Sequence, residues 1–299
     1  MDDPTRAGFV ALIGAPNAGK STLMNRLVGA KVSIVTHKVQ TTRTRVLGIV
    51  IQRASQLIFV DTPGIFEPKR RLDRAMVRAA WDGAQEADAI VLLADARRGL
   101  DEKTLTIIDG LKQSGRKAIL AINKIDTVKK EDLLEVASLF DATGVFAEVF
   151  MISATRGDGT DDLLDHLAGQ VPEGPWLFPE DQLSDMPQRL MAAEVTREKL
   201  YLNVHQEVPY ELTVETEQWK TLRDGSVRIE QTIYVRRDSQ KAIILGKGGR
   251  LVKRVGQAAR EELSRLFGVP VQLYLFVKVR EKWAEDPARY SEWNLDFKA

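Results

Sequence analysis

Gly14-Ala15-Pro16-Asn17-Ala18-Gly19-Lys20-Ser21 reads G-x-x-x-x-G-K-S, between the apolar run Phe9-Val10-Ala11-Leu12-Ile13 and the run Thr22-Leu23-Met24-Asn25-Arg26-Leu27. Strand, glycine loop and helix in that order are the setting a phosphate-binding loop requires. The backbone N–H groups of such a loop converge on phosphate oxygens at a helix N-terminus, where the dipole favours negative charge. Gly14, Ala15, Pro16, Asn17, Ala18, Gly19, Lys20, Ser21 and Thr22 are therefore the expected phosphate cradle. Lys20 would reach the outer phosphates and the Ser21 hydroxyl would bind Mg2+. A tight turn that matches by chance is the competing reading, and the flanking strand and helix disfavour it.

The rest of the first half selects the nucleotide. Asp61-Thr62-Pro63-Gly64 ends the apolar run Leu57-Ile58-Phe59-Val60. A carboxylate at a strand end can hold Mg2+ through water, and the N–H of Gly64 can meet a γ-phosphate because no Cβ blocks the approach. Asn123-Lys124-Ile125-Asp126 follows Ala118-Ile119-Leu120-Ala121-Ile122. A carboxylate at Asp126 accepts from both N1–H and the exocyclic amine of guanine. Adenine has no donor at N1 and would leave that carboxylate unpaired, which costs more than the bond is worth. GTP and GDP are the expected ligands. Ser153-Ala154, behind Val149-Phe150-Met151-Ile152, falls where a backbone N–H can meet the guanine carbonyl. Between the loop and Asp61, a threonine of the segment Lys31 to Arg43 should complete the Mg2+ shell and sense the γ-phosphate. Thr42 is the choice and Thr41 the alternative, so the expected metal set is Ser21, Thr42 and Asp61.

Apolar strands alternate with amphipathic helical patterns over 7–171. Strands are expected at 8–13, 46–53, 56–61, 89–95, 117–122 and 148–152, and helices at 20–28, 72–85, 102–113, 131–140 and 160–169. The fold class is α/β, a mostly parallel sheet with helices on both faces. The pair 46–53 and 56–61 is too close for a crossover helix and should form one antiparallel edge. Four prolines within 172–187 mark a linker, which Trp176, Leu177 and Phe178 should pin as an ordered connector. The expected domains are 1–172, a linker at 173–186, and 187–299. In the last, Ser184-Asp185 should cap a helix that starts at Pro187, and the order is αββααβ, with strands at 210–217, 227–235 and 271–279 and helices at 239–245 and 249–267.

Residues 7–171 resemble the translation-factor-like P-loop GTPases, whose five guanine-nucleotide motifs all occur in order. In Ras-like GTPases a glutamine after the D-x-x-G glycine positions the attacking water. Here the residue is Ile65, so the resemblance is to GTPases with a hydrophobic residue at that site. Slow intrinsic hydrolysis is expected, with Lys20, Thr42, Gly64 and Asn17 as the catalytic set. Arg43 and Arg45 lie in the switch segment, where a solvent- or RNA-facing role competes with that of an arginine finger. Related GTPases with Asn at position 17 bind K+ where an arginine finger would place its charge, which implies K+ stimulation.

Gly246-Lys247-Gly248-Gly249, between two helices, resembles the G-x-x-G loop of a KH domain, which clamps about four nucleotides of single-stranded RNA. Arg250, Lys253 and Arg254 follow on the next helix, and the αββααβ order matches the type II arrangement. Arg236, Arg237, Lys241, Lys247, Arg250, Lys253 and Arg254 face one acid, Asp238, within 19 residues. Such a run is a solvated helix face or a nucleic-acid surface.

A GTPase domain followed by a KH domain resembles the Era-like family of bacterial GTPases across nearly the whole chain, through GAPNAGKSTLMNRL, QTTRTRVLGI, FVDTPGIFEPKR, NKID, FPEDQLSD, ILGKGGRLVKRVG and VKVREKWAEDP. The resemblance implies binding to the 3′ end of small-subunit ribosomal RNA gated by nucleotide, assistance to assembly of that subunit, a monomer, and peripheral contact with the inner membrane. Residues Arg289 to Ala299 match the family less well. An RNA-binding module with a merely structural GTP site, and a GTPase whose KH-like domain docks protein, are the competing functions.

Composition agrees with this reading. The chain has no cysteine, which excludes disulfides and thiolate metal sites and fits a reducing compartment. Met1-Asp2-Asp3-Pro4 does not open a secretory signal, and no apolar run reaches the roughly 20 residues of a membrane span. A cytoplasmic location is expected. Residues 1–183 hold 23 basic and 25 acidic side chains, and residues 184–299 hold 20 and 17, so the positive tilt lies on the RNA-binding half.

Overall fold

The computed structural model describes residues 4–204 and 208–299; the acidic opening Met1-Asp2-Asp3 lies outside them. The chain divides into two units. The first is Met1–Ser33, Val39–Asp185 and Tyr290–Ala299; the second is Ile34–Lys38 and Met186–Arg289.

Strands β1 (Arg6–Gly14), β2 (Val46–Gln52), β3 (Ser55–Asp61), β4 (Ala89–Asp95), β5 (Ala118–Asn123) and β6 (Phe146–Ile152) form one sheet in the order β2-β3-β1-β4-β5-β6. Only β2 is antiparallel, pairing Val46 with Asp61 and Gln52 with Ser55. Helices α1 (Lys20–Val28), α2 (Arg71–Glu86), α3 (Glu102–Ser114), α4 (Lys130–Asp141) and α5 (Thr160–Gln170) alternate with the strands. Parallel strands covered on both faces read as continuous apolar runs, and Leu57 to Val60 and Ala118 to Ile122 are buried throughout. β1 sits between β3 and β4, so the chain order reverses there. The carboxyl ends of β1, β3, β4 and β5 bring Gly14, Asp61, Asp95 and Asn123 to one edge, the place where open α/β sheets bind ligands.

The connector is hydrogen-bonded to the edge of the first sheet. Trp176 Nε1 donates to the Ala54 carbonyl at 3.1 Å. The fully buried Gln56 accepts from the N–H groups of Leu177 and Phe178 at 2.8 and 3.0 Å and donates to the Phe178 carbonyl at 2.8 Å. Further on, the N–H of Ile49 donates to the Leu183 carbonyl at 2.9 Å, and that of Leu47 to the Asp185 carboxylate at 3.0 Å. The connector thus satisfies the outer backbone groups of β2, the edge strand, which would otherwise be open to pairing. Asp185 therefore does not cap the next helix. Pro187 occupies that position without a side-chain cap, because the carboxylate is committed to Leu47.

In the second unit, α6 (Gln188–Asn203), β7 (Leu212–Thr221), β8 (Val227–Val235), α7 (Asp238–Leu245), α8 (Arg250–Phe267) and β9 (Val271–Val279) follow in the expected αββααβ order. β8 is central, antiparallel to β7 and parallel to β9. α6 packs against α8 and β7, and α8 against β9. Ile34–Lys38 also packs here: the N–H of Val35 donates to the Glu198 carboxylate at 2.9 Å, and the Lys38 ammonium reaches the carbonyls of Tyr201 and Val204 at the end of α6. A cation at a helix C-terminus is favourably placed against the dipole.

The C-terminal segment corrects the expected boundary at 299. Tyr290–Ala299 belongs to the first unit, with Tyr290, Trp293 and Leu295 buried. Arg78 of α2 pairs with Asp296 at 3.2 Å, and the Arg71 guanidinium lies 4.5 Å from the centre of the Phe297 ring. Three apolar anchors outweigh a linear reading that simply runs the last domain to the end of the chain.

Replacing Gln56 with alanine leaves two N–H groups and one carbonyl of the connector without partners, at a cost of about 1–3 kcal/mol for each group left buried. The expected outcome is a lower urea midpoint and faster proteolytic nicking between Trp176 and Asp185, read by limited digestion and mass spectrometry.

Candidate nucleotide site and glycine loop

The loop after β1 turns through left-handed backbone at Asn17 (φ 66°) and Gly19 (φ 107°). A Cβ on Gly19 would stand 2.1 Å from Asn123 Nδ2, so the loop and the end of β5 are in closest contact there. Asn123 Nδ2 donates to the Ala18 carbonyl at 2.8 Å, while its Oδ1 accepts from the N–H groups of Lys124 and Ala154 at 2.8 and 3.0 Å. One side chain thereby ties the phosphate loop to both base-reading stretches. The Lys124 ammonium spans the same gap, donating to the Asn17 carbonyl at 2.8 Å and to Asp95 at 2.6 Å. Asp126 accepts from the Ser153 hydroxyl at 2.7 Å and has Arg156 3.7 Å away. Arg26 of α1 holds the carbonyls of Ala154 (3.3 Å) and Thr155.

Lys20 is buried, with its ammonium donating to the carbonyls of Gly14 and Ala15 at 3.1 and 3.3 Å. Burial lowers its pKa to about 8, against the opposing pull of the Asp61 charge. Asp61 is fully buried. Its Oδ2 receives the Ser21 hydroxyl at 2.6 Å, that of Ser33 at 2.8 Å and that of Thr42 at 3.4 Å, and Ser21 and Thr42 are 3.0 Å apart. Burial raises the Asp61 pKa, opposed by the Ser21 bond, the Lys20 charge, and the Ser33 and Thr42 bonds. Its Oδ1 is buried without a hydrogen-bond partner. A buried carboxylate oxygen left unpaired beside three hydroxyls is a donor set that suits a hard divalent cation with oxygen ligands. Ser21 and Thr42 thus both stand against Asp61 Oδ2. A Cβ on Gly64 would lie 3.0 Å from the Pro16 backbone, so this turn presses against the phosphate loop. Ile65 is buried in the apolar core. Arg43 is 2% exposed, which removes the solvent- or RNA-facing role, and Arg45 lies 3.5 Å from Glu86.

Ser33, Asp95, Arg26 and Arg156 were not singled out from sequence. Asp95 had a signal: it ends an apolar strand, as Asp61 and Asn123 do. Ser33 and Arg26 had none, because their partners lie 28 and 128 residues away.

In the second unit Gly246, Gly248 and Gly249 have φ of 69°, 62° and 75°. Side chains at 248 and 249 would meet nothing within 4 Å, so it is the left-handed backbone, not crowding, that calls for glycine. Lys247, Arg250, Lys253 and Arg254 are exposed around the loop. Beside it a groove of about 350 Å³ runs between α8 and β9, lined by Val252, Lys253, Gly256, Gln257, Arg260, Leu273, Tyr274 and Leu275. Arg260 and Tyr274 add a cation and an aromatic face that the loop motif did not include. The basic run is not uniform: Arg236 is committed to Glu211 at 2.9 Å and to the Glu281 carbonyl.

The two units thus define a P-loop GTPase domain joined to a KH domain. Residues 9–124 match the family model described as 50S ribosome-binding GTPase, and residues 207–284 match the KH domain model. GTPase Era of Sinorhizobium medicae is 59% identical over 294 residues, 98% of this chain and 95% of that protein. GTPase Era of Agrobacterium fabrum is 60% identical over 98% of this chain and 93% of its own. Two solved structures superpose with a TM-score of 0.91 at 38% identity: Aquifex aeolicus Era bound to GDP·AlF4−, over 97% of this chain and 99% of that one, and Era in complex with MgGDPNP and nucleotides 1506–1542 of 16S ribosomal RNA, over 97% and 98%. The chain belongs to the Era family of GTPases.

The buried Lys20 generates a test. Between about pH 8 and 10.5 the unfolded chain holds a proton that the folded lysine has lost, so stability of the nucleotide-free protein rises with pH across that window. Lys20→Met should flatten this rise while abolishing GTP binding, as read by urea denaturation at stepped pH and by equilibrium binding of labelled GTP.

Proposed function

We propose that this GTPase binds the 3′ end of small-subunit ribosomal RNA through its KH loop in a nucleotide-dependent way, and assists assembly of that subunit. The carrying observation is the pairing, on one chain, of a switch threonine gathered onto Asp61 with an exposed left-handed glycine loop among exposed cations. Ile34–Lys38, which lies between Ser33 and Thr42, is grouped with the KH-containing unit. The segment a γ-phosphate would order is therefore continuous with both. The RNA class is taken from the relative solved with a 16S fragment. The 50S in the name of the GTPase model carries less weight, since that model ends at residue 124, before the RNA-binding loop.

In this reading Lys20 gives up the carbonyls of Gly14 and Ala15 for the outer phosphates, and Gly64 presents its N–H to the γ-phosphate. Asp126 and Asn123 read guanine, with Ala154 at its carbonyl. Ser21, Thr42 and Asp61 hold Mg2+, which when bound neutralises phosphate charge. Ile65 lies in the core and offers no hydrogen bond to water. Charge building up during hydrolysis then needs another cation, and Asn17, held left-handed at the loop crest, is the assigned ligand for K+. Lys247, Arg250, Lys253 and Arg254 meet the RNA backbone while the glycines let it approach. The same proposal carries a cytoplasmic monomer and a peripheral relation to the inner membrane; among the described residues no helix is long and apolar enough to cross a membrane.

Two measurements test it. GTP turnover should be faster in KCl than in matched NaCl and should vanish in Lys20→Ala; equal rates in the two salts remove the K+ assignment. Gly248→Asp meets no neighbouring atom, but it puts a side chain on left-handed backbone and a negative charge at the RNA backbone. It should weaken binding of a 16S 3′-end oligonucleotide by about tenfold or more, about the 1–3 kcal/mol of one lost charged contact, with GTP turnover retained. Unchanged RNA affinity would favour a protein-docking role for this domain.

A further inference from the structure

We propose that Ser33 is a positioning residue for the metal-binding carboxylate, holding Asp61 in place when Thr42 is withdrawn. This rests on the Mg2+ assignment above. Three hydroxyls face one oxygen of Asp61, and they differ in what holds them. Thr42 lies in the segment that the γ-phosphate orders, and Ser21 is itself a metal ligand in this reading. Ser33 is fixed from elsewhere. The Asn25 side chain, on α1, accepts from the N–H groups of Val32 and Ser33, both at 2.9 Å, and donates to the Ser33 carbonyl at 2.8 Å. The serine is 2% exposed and its hydroxyl donates to Asp61 Oδ2 at 2.8 Å.

The phosphate-loop helix therefore delivers a hydroxyl to the carboxylate through its own asparagine, by a route that does not pass through Thr42. A hydrogen bond on Oδ2 fixes the rotation of the carboxylate and leaves Oδ1, which is buried and has no hydrogen-bond partner, as the oxygen turned to the cation's shell. In the triphosphate state Thr42 duplicates part of this support. In the diphosphate state Thr42 contributes nothing, and Ser33 holds Asp61 without it. The effect of losing Ser33 should thus depend on the nucleotide. Partners that orient a metal ligand typically cost about 10–100-fold in metal affinity when removed.

The experiment uses the full-length protein, a fluorescent GDP analogue and a non-hydrolysable fluorescent GTP analogue, with release rates followed as Mg2+ is titrated. Ser33→Ala should raise the Mg2+ midpoint of the GDP complex by about tenfold, near the lower bound for such partners, and that of the GTP-analogue complex by a clearly smaller factor. GDP affinity in chelator should match that of wild type, which also reports that the variant is folded. Asn25→Ala keeps the hydroxyl but frees its backbone, and should shift the GDP midpoint in the same direction by less. A Ser33→Ala midpoint equal to that of wild type overturns the proposal. So does an equal loss of GDP affinity with and without Mg2+, which would mark Ser33 as structural only. Wild-type release that ignores Mg2+ would overturn the metal assignment instead.

Discussion

The buried carboxylate of Asp61 is the constraint around which the first unit is arranged. An ionised carboxylate at zero exposure is costly unless it is paired and hydrogen-bonded. The chain meets that demand with Lys20 on one side and three hydroxyls, from Ser21, Ser33 and Thr42, on one oxygen. These groups come from three separate stretches, Lys20-Ser21, Ser33 and Thr42, so the carboxylate draws the phosphate loop, both ends of the switch segment and the end of β3 together. The other oxygen stays unsatisfied. The polar cluster is thus incomplete in the protein alone, and desolvation works on Lys20 and Asp61 in opposite senses, lowering one pKa and raising the other. In the proposed function a magnesium-bound nucleotide would supply what both lack: anionic oxygens for the ammonium and a cation for the carboxylate.

Much of this was legible in sequence because the chemistry is local. The phosphate loop, D-T-P-G and N-K-I-D each sit at the end of an apolar strand, so finding the strands also placed the site at one sheet edge. Strand and helix positions follow from period and punctuation, and β9 falls on the residues expected, 271–279. What sequence could not carry is pairing at a distance. Asp185 precedes a proline in a polar stretch and reads as a cap; only the exposed edge of β2 gives it a better partner. Ser33 is one small residue in an apolar run, and its importance comes from Asn25 and Asp61 together. The tail, which matches the family less well in sequence, is grouped with the first unit, where Arg78 pairs with Asp296 and Arg71 lies over Phe297.

The glycine loop shows how a motif and its surroundings contribute separately. Left-handed backbone at three positions explains the glycines without reference to any ligand. The case for RNA comes from the neighbours instead, and here charge counting alone misleads. Arg236 belongs to the same basic run as Arg250, yet an ion pair with Glu211 and a bond to the Glu281 carbonyl occupy it. The cations of the loop and of α8 remain exposed. Arg260 extends that surface along the groove, whose wall also includes Tyr274, with the Arg228 guanidinium 4.7 Å from the centre of its ring.

The backbone crosses between the units four times, at residues 33/34, 38/39, 185/186 and 289/290, because five residues near the N-terminus and ten at the C-terminus are exchanged. This bears on how nucleotide state and RNA affinity are coupled in the proposed function. Coupling needs an element with two arrangements that both sites bias. In the proposed function the segment from Ser33 to Thr42 takes that role. At one end Asn25 and Asp61 hold Ser33, at the other Thr42 joins the same carboxylate, and between them Lys38 places its charge on the last carbonyls of α6. Tightening Thr42 onto a metal and keeping Lys38 on α6 draw on the same few residues of chain. In the proposed function, a pull on Thr42 would reach Lys38 through the backbone between them.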